Sequence, residues 1–529
     1  MSEKIVVVGS GASGVHFALT LLKRGWKVTM LDVGVQPPQA PLPDQTVPQL
    51  KENLDDPAGY FLGKDFQAVV YPGAEDYYSQ PPPKDYVFEC AAPAGKPRLR
   101  GFAPLLSFAQ GGLAQAWTGG SYPFNEEELT DFPFNYSDIQ PHYDEVGRRI
   151  GVVGDPNDDL AAFTPAHDGL MEPLKLCQHG EQLTSAYAKH RADINEQMNW
   201  FLGRSRVAVL SRDMNERKAC SYLGRCMWGC PSAAFYTPSI TLAECQRYEN
   251  FEYYPGLRVS HFNVDSSGAI SSVVAGDEEI RTQKLALAAG ALTTSQIYLE
   301  SWRRAADEVA RLPGLMDNRQ LFMPFVNLRM LGKRYAPESY QYHQLAFALS
   351  DADPVQHVHG QITALTTAMV HPVIQNLPVD LKAATAVFRN LHAALGLANA
   401  MHADWRREDC YATLEEGRLL LHYETPPNED FQIRHTRERM QQALMKLGCI
   451  APPNMTQIRP MGGSVHYAGT LPMSDEPLIS NPHTTTPSCE SRQFENLFIV
   501  DGATFPFLPA KQYTFTLMAN AVRIANQIY

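Results

Sequence analysis

Apolar and polar positions along this chain fall into a few separate rhythms, and each predicts an element. Residues 5–8 form an unbroken apolar run, the mark of a fully buried parallel strand. Residues 15–22 then place apolar side chains at helical spacing, and Lys23-Arg24-Gly25 closes that helix with positive charge and a glycine. Residues 27–31 read as a second strand with Asp32 at its tip. The same order returns twice, late in the chain. "KLALAAGALTTSQIYLES" predicts a buried strand, a turn at Gly290 and a helix from about Thr293. "NLFIVDGATFPFLPAKQYTFTLMANAVRIANQIY" predicts a strand over 497–500, the pair Asp501-Gly502, a proline-bearing loop and a helix from about Thr514.

Other stretches keep a different period. "FEYYPGLRVSHFNVD" and "AISSVVAGD" alternate like antiparallel strands, and "QLFMPFVNLRML" and "HVHGQITALTTAMV" also read as strands. "LPVDLKAATAVFRNLHAALGLANAMHAD" reads as one longer helix, in a core or a lid. Residues 36–100 hold neither period; Pro37, Pro38, Pro41, Pro43 and Pro81-Pro82-Pro83 mark a surface excursion or lid.

Composition narrows the class. A length of 529 residues exceeds one simple core, and 44% apolar with 19% charged residues is ordinary for a soluble, well-packed protein. The net charge of −12 argues against nucleic acid or anionic membrane as a partner, because phosphate backbones need clustered Lys and Arg. No apolar run reaches the roughly 18 residues of a membrane span, and the N-terminal run is too short for a signal peptide, so a cytoplasmic protein is expected. Nine cysteines are too sparse for a disulfide framework.

The first strand–helix turn carries candidate chemistry. Gly9, Gly11 and Gly14 give G-x-G-x-x-G, with Ser13 inside the motif. Gly9 allows the tight turn, Gly11 lets backbone approach a pyrophosphate, and Gly14 lets the helix pack close to the strand. The helix N-terminus offers free N–H groups to phosphate, and Asp32 can accept from ribose hydroxyls. Together they predict dinucleotide binding without separating NAD from FAD. Gly111-Gly112 and Gly119-Gly120 flank Trp117, which suggests backbone lying close to a flat ligand; the plain alternative is a glycine-rich loop.

The order of these motifs resembles the glucose–methanol–choline (GMC) oxidoreductase family. It rests on "GSGASG" with Asp32, "GGLAQAWTGGSYPF" at 111–124, "GRCMWGCPSAAFYTPSI" at 224–240, "LALAAGALTTSQIYLES" at 285–301, "GGSVHYAGTLPMSDEP" at 462–477 and the C-terminal segment 496–528. Pyranose oxidase-like and cholesterol oxidase-like bacterial members are the nearest in character. The resemblance implies an α/β fold: a discontinuous Rossmann-like FAD-binding domain from residues 1–35, 101–165, 200–318 and 456–529, and an α+β substrate domain on an antiparallel sheet from 166–199 and 319–455, with 36–100 as the excursion. It implies FAD as cofactor, with Asp501, Gly502 and Thr514 near the pyrophosphate and flavin side and Ala291 near the adenine. It implies oxidation of an alcohol to a carbonyl, with hydride passing to flavin N5 and oxygen or an external acceptor reoxidising the cofactor.

Within that resemblance His466, in "SVHYAG", matches the family's catalytic histidine, a base for the hydroxyl proton. The partner position, usually His or Asn, holds Gln512, which can bind a substrate oxygen but cannot act as a base. Some relatives bind FAD covalently through a histidine where this chain has Ala116, so non-covalent FAD is expected. No metal is expected: Cys220, Cys226 and Cys230 run C-x5-C-x3-C, unlike the C-x2-C pairs of common zinc or iron–sulfur sites, and are read as reduced thiols or a disulfide pair. His357 and His359 share one strand face, as polar cover, as cavity lining or as a pair able to bind metal, the first being the commoner reason. A sugar or glycoside and a hydrophobic alcohol are the two substrate classes, the first preferred. A non-redox lyase or isomerase on the same scaffold is the alternative activity, and a homo-oligomer is left open.

Overall fold

The structure, a computed structural model, describes residues 3–37, 43–66, 81–89, 96–340, 342–365, 378–478 and 481–529. Two large sheets organise it. The first is parallel and five-stranded, in the order Leu497–Ile499, Leu285–Leu287, Lys4–Val8, Lys27–Leu31, Phe251–Tyr254. Its registers join segments hundreds of residues apart: Val6 opposes Leu285, and Leu285 opposes Leu497. The apolar runs at 5–8 and 285–287 are buried throughout, as central parallel strands must be.

Three helices leave this sheet: α1 (Ala12–Lys23), α2 (Ala291–Ala306) and α3 (Thr514–Gln527). Helix α1 is buried from Ala12 to Leu22, so it is a core helix rather than a surface one. It packs in one apolar cluster with α3, through residues such as Phe17, Leu21, Phe515 and Val522. Helix α2 begins two residues before the expected Thr293, because Gly290, at φ +84°, is its N-cap.

The second sheet is antiparallel. Its path runs Cys449–Ile450, Gln320–Asn327, Leu395–Met401, Val358–Ala364, Leu345–Leu349, Trp200–Arg204, and Gln457–Ile458 also pairs with Gln320–Asn327. Trp200–Arg204 belongs to this sheet, so the sequence boundary at residue 200 runs between a strand and its own sheet.

Three expectations are corrected. The long helix over 378–402 is an α-helix only at Leu381–Leu391, with one 3-10 turn at His392–Ala394 after it; Leu395–Met401 is a strand paired on both sides. Its Ala, Leu and Gly content favours neither period strongly. The sheet decides: a Cβ on Gly396 would run into the Phe325 ring, so the close pairing there requires glycine. Phe251–Tyr254 is a parallel edge strand against Lys27–Leu31, not an antiparallel one; it is only partly covered along its length, as an edge strand is. Antiparallel pairing joins Val259–Val264, Ile270–Ala275 and Glu278–Arg281. The excursion is less irregular than its prolines suggest. Thr46 forms a capping box on the helix Val47–Asn53, Pro57–Leu62 is a second helix, and Arg98–Arg100 pairs parallel with Arg418–His422. The C-terminal part of "HVHGQITALTTAMV", from 366, lies outside the described residues. Among the described residues no helix is long and apolar enough to cross a membrane.

Candidate active site

The parallel strands end at one cleft, where an open α/β sheet takes its ligands. Of the residues singled out in the sequence, Gly9, Gly11, Ser13, Asp32, Gly111, Gly112, Ala291, Asp501, Gly502 and Thr514 line it. Gly14, Trp117, His466 and Gln512 do not line it.

The three motif glycines have separate reasons. Gly9 lies at φ +102°, and a Cβ there would strike the Ala288 carbonyl. A Cβ on Gly14 would strike the Gly9 carbonyl, so this glycine sets the distance between helix and strand. Gly11 is different: its Cβ would meet protein only at 4.0 Å, at the Ala288 carbonyl. Opposite it, a Cβ on Gly112 would lie 3.6 Å from the Gly11 Cα. The two bare backbones face each other across the cleft, leaving space that side chains would fill.

Helices α1, α2 and α3 all start at this cleft, and none has a side-chain cap: the caps are Gly11, Gly290 and Tyr513. The N–H groups of three first turns therefore border one space, and their dipoles favour an anion there. The chain's own carboxylates stand around that positive region. Ser10 and Tyr253 hydroxyls both donate to Asp32 Oδ2, the latter at 3.0 Å. Ser10 Oγ also accepts from the Gly111 N–H at 2.9 Å, which ties the second glycine segment to the first. Burial raises the Asp32 pKa to about 6 against the lowering effect of those donors. Asp501 accepts from Thr294 Oγ1 and, at 3.1 Å, from the Ala503 N–H, and burial raises it likewise to about 6. These features fit a dinucleotide: a buried carboxylate, Asp32, to accept from ribose hydroxyls, and three uncapped helix starts for its phosphates, with Tyr467 and Tyr513 also in the lining.

His466 adjoins this cleft without lining it. Its ring packs edge-on against Tyr513, centroids 5.1 Å apart, and Val465 and Tyr467 on either side of it line the cleft. Its Nδ1 is 2.9 Å from Asn318 Oδ1, and its backbone N–H donates to Ser464 Oγ at 3.0 Å. Asp317 grips the same loop, accepting from Gly462 N–H at 2.7 Å and from the Ser464 hydroxyl. Those bonds hold Val465 at φ +62°, a left-handed conformation costly for a β-branched side chain. Burial lowers the His466 pKa to about 3, so the ring is neutral at physiological pH.

Gln512 faces the antiparallel sheet. Its Nε2 donates to Gln361 Oε1 at 2.6 Å, and Gln361 Nε2 donates back to Gln512 Oε1 at 2.8 Å and to Tyr122 OH at 3.0 Å. A Cβ on Gly120 would collide with the Gln512 amide, so the second paired-glycine segment makes room for it. Beside it Lys511 is fully buried, ion-paired to Glu128 and donating to the Pro123 carbonyl at 3.2 Å. His357 Nε2 lies 3.3 Å from the other Glu128 oxygen, and the His359 ring packs edge-on to Tyr122 at 4.3 Å. The two histidines therefore cover the final loop. Trp117 donates its indole N–H to the Tyr236 carbonyl at 2.8 Å and packs on Phe235 and Tyr236, away from the cleft. Among the described residues no disulfide joins Cys220, Cys226 and Cys230. They pack on the cluster around Val207, Val209 and Leu210.

Several site residues had no sequence signal. Asn318, Asp317, Gln361 and Tyr253 come from other strands and loops, and nothing local marks them. Ser10 could have been found, since it sits inside G-x-G beside the strand bearing Asp32.

Comparison with known proteins agrees with this architecture. Residues 370–521 match the family model described as GMC oxidoreductase. Paromamine 6'-oxidase of Streptomyces fradiae is 24% identical over 99% of this chain and 91% of its own length. The fructose dehydrogenase large subunit of Gluconobacter japonicus is 20% identical over 56% of this chain and 54% of its own. Among solved structures, pyridoxine 4-oxidase from "Mesorbium loti" superposes with a TM-score of 0.59 at 14% identity, over 99% of both chains. An FAD-dependent oxidoreductase from Chaetomium thermophilum does so with a TM-score of 0.57 at 13% identity, over 99% of this chain and 98% of that one. The C-terminal match and the shared fold agree: residues 370–521 carry a GMC oxidoreductase domain, on a chain whose fold is that of pyridoxine 4-oxidase.

Proposed function

We propose that the chain binds FAD non-covalently in this cleft and oxidises an alcohol carbon of a sugar or glycoside to a carbonyl, with His466 as the base. The observation that carries the proposal is the contact between His466 and Tyr513: it sets a neutral imidazole against a ring that lines a cleft suited to a dinucleotide. FAD, when bound, supplies the hydride acceptor. The protein supplies the rest. Gly11 and Gly112 admit the pyrophosphate, the starts of α1, α2 and α3 stabilise its charge, and Asp32 receives the ribose hydroxyls. His466 takes the hydroxyl proton as the carbinol carbon gives up its hydride, which avoids a protonated carbonyl.

Gln512 cannot share the proton. Its amide is paired with Gln361, so it offers only its remaining N–H and lone pair to a substrate oxygen. That amide pair, with Tyr122 behind it, is a polar wall suited to several hydroxyls. The named substrates of two relatives, paromamine and fructose, agree with this preference. Ala116 offers no nucleophile for a flavin link. Oxygen or an external acceptor completes the cycle.

The test is anaerobic mixing of the purified protein with a panel of sugars, glycosides and lipophilic alcohols, following the flavin band near ~450 nm. Bleaching by a sugar supports the proposal. Bleaching only by lipophilic alcohols removes the substrate class, and turnover without bleaching would point to a lyase or isomerase.

A further inference from the structure

We infer that Asn318 is a positioning residue that fixes Nε2 of His466 as the nitrogen that accepts the substrate proton. This rests on the reading of His466 as the base. The argument follows from which groups can donate. Asn318 Nδ2 donates to the His402 carbonyl at 2.8 Å and to the Pro509 carbonyl at 3.0 Å. A backbone carbonyl can only accept, so the end of the amide that meets both must be its nitrogen. The amide oxygen therefore faces His466 Nδ1, at 2.9 Å. That oxygen also can only accept, so Nδ1 carries the hydrogen. A neutral imidazole has one N–H, which leaves Nε2 with a free lone pair. Burial keeps the ring neutral, so this tautomer is the form present at physiological pH.

Asn318 has a second consequence. Its two carbonyl partners lie on different segments, His402 just after the strand Leu395–Met401 and Pro509 three residues before Gln512. One side chain thus sets the His466 ring against the loop that carries Gln512 and Tyr513. Asn is the shortest side chain that donates twice and accepts once; an aspartate would turn an oxygen toward two carbonyl oxygens. The adjacent Asp317 holds the loop backbone while Asn318 holds the ring.

The experiment uses the FAD-loaded full chain with ¹⁵N-labelled histidine. Two-bond ¹H–¹⁵N ring correlations report which nitrogen is protonated, and His466→Gln identifies the His466 signals by their loss. Wild-type protein is expected to show His466 protonated at Nδ1. Asn318→Ala is expected to lose that fixed pattern, with flavin retained and the limiting rate of flavin reduction down by about 10–100-fold at little change in substrate affinity. An Nε2–H pattern in the wild type overturns the inference without any variant having to fold. So does an Asn318→Ala protein that keeps the Nδ1–H pattern and full rate. His466→Ala separates the two levels: if it loses flavin reduction while wild-type His466 is protonated at Nε2, the base reading stands and this inference falls. If His466→Ala reduces flavin at the wild-type rate, both fall.

Discussion

At the residue scale, three glycines within six positions answer to different constraints, and substitution separates them. Gly11 borders open cleft, so Gly11→Val is expected to fold and to purify colourless, its side chain occupying the pyrophosphate path. Flavin absorbance and a melting curve on one sample check this. Gly14 borders the Gly9 carbonyl instead, so Gly14→Val is expected to lose stability as well as colour. His466→Ala is expected to keep the flavin and to slow its reduction by at least ~100-fold, the usual scale for a general base. Rapid mixing under anaerobic conditions measures it, and unchanged reduction would remove His466 from the mechanism. Position 466 was legible in the sequence because "SVHYAG" resembles a family motif. Its orienting partner was not, since Asn318 lies 148 residues away and no local pattern marks it.

Elements show where periodicity suffices and where packing overrides it. The runs at 5–8 and 285–287 are buried on both faces, so a continuous apolar string had one interpretation. Leu395–Met401 was ambiguous, because Leu, Gly and Ala suit a helix as well as the middle of a sheet. Its neighbours decide: Gln320–Asn327 and Val358–Ala364 take its hydrogen bonds, and the Phe325 ring takes the space over Gly396. Gly396→Val is therefore expected to destabilise the chain by about 1–3 kcal/mol through overpacking, read as a lower urea midpoint. An unchanged midpoint would mean that the Phe325 ring has another place to go.

For the whole molecule, buried titratable groups set the response to acid. Eleven histidines among the described residues are held below their ordinary value, chiefly by burial. Six of them fall to about 3 or about 4, against 6.5 when exposed. Between those limits the unfolded chain binds protons that the folded chain refuses, so stability falls as pH drops from 6.5 toward 4. Five aspartates, four of them buried and Asp158 half-buried, act the other way. Burial raises them from 3.8 to about 6 or 7, so their contribution is fullest below 3.8 and is lost as pH rises through 6 to 7. The histidines are more numerous, and the melting temperature is expected to be lower at pH 5 than at pH 7. A higher value at pH 5 would show that the aspartates dominate.

Local spacing was enough for the short-range parts: the buried strands, the glycine turn with Asp32 at the next strand's end and the late strand–turn–helix units. Each is written within about thirty residues, where spacing and side-chain type are sufficient. Tertiary structure decided what those parts face. It stacked the strand ends at residues 8, 287 and 499 into one cleft mouth, set three uncapped helix starts beside it, took Trp117 out of it, and locked Gln512 to Gln361 and His466 to Asn318. Such pairings depend on distance across the fold, and distance between remote segments is not encoded in any local period.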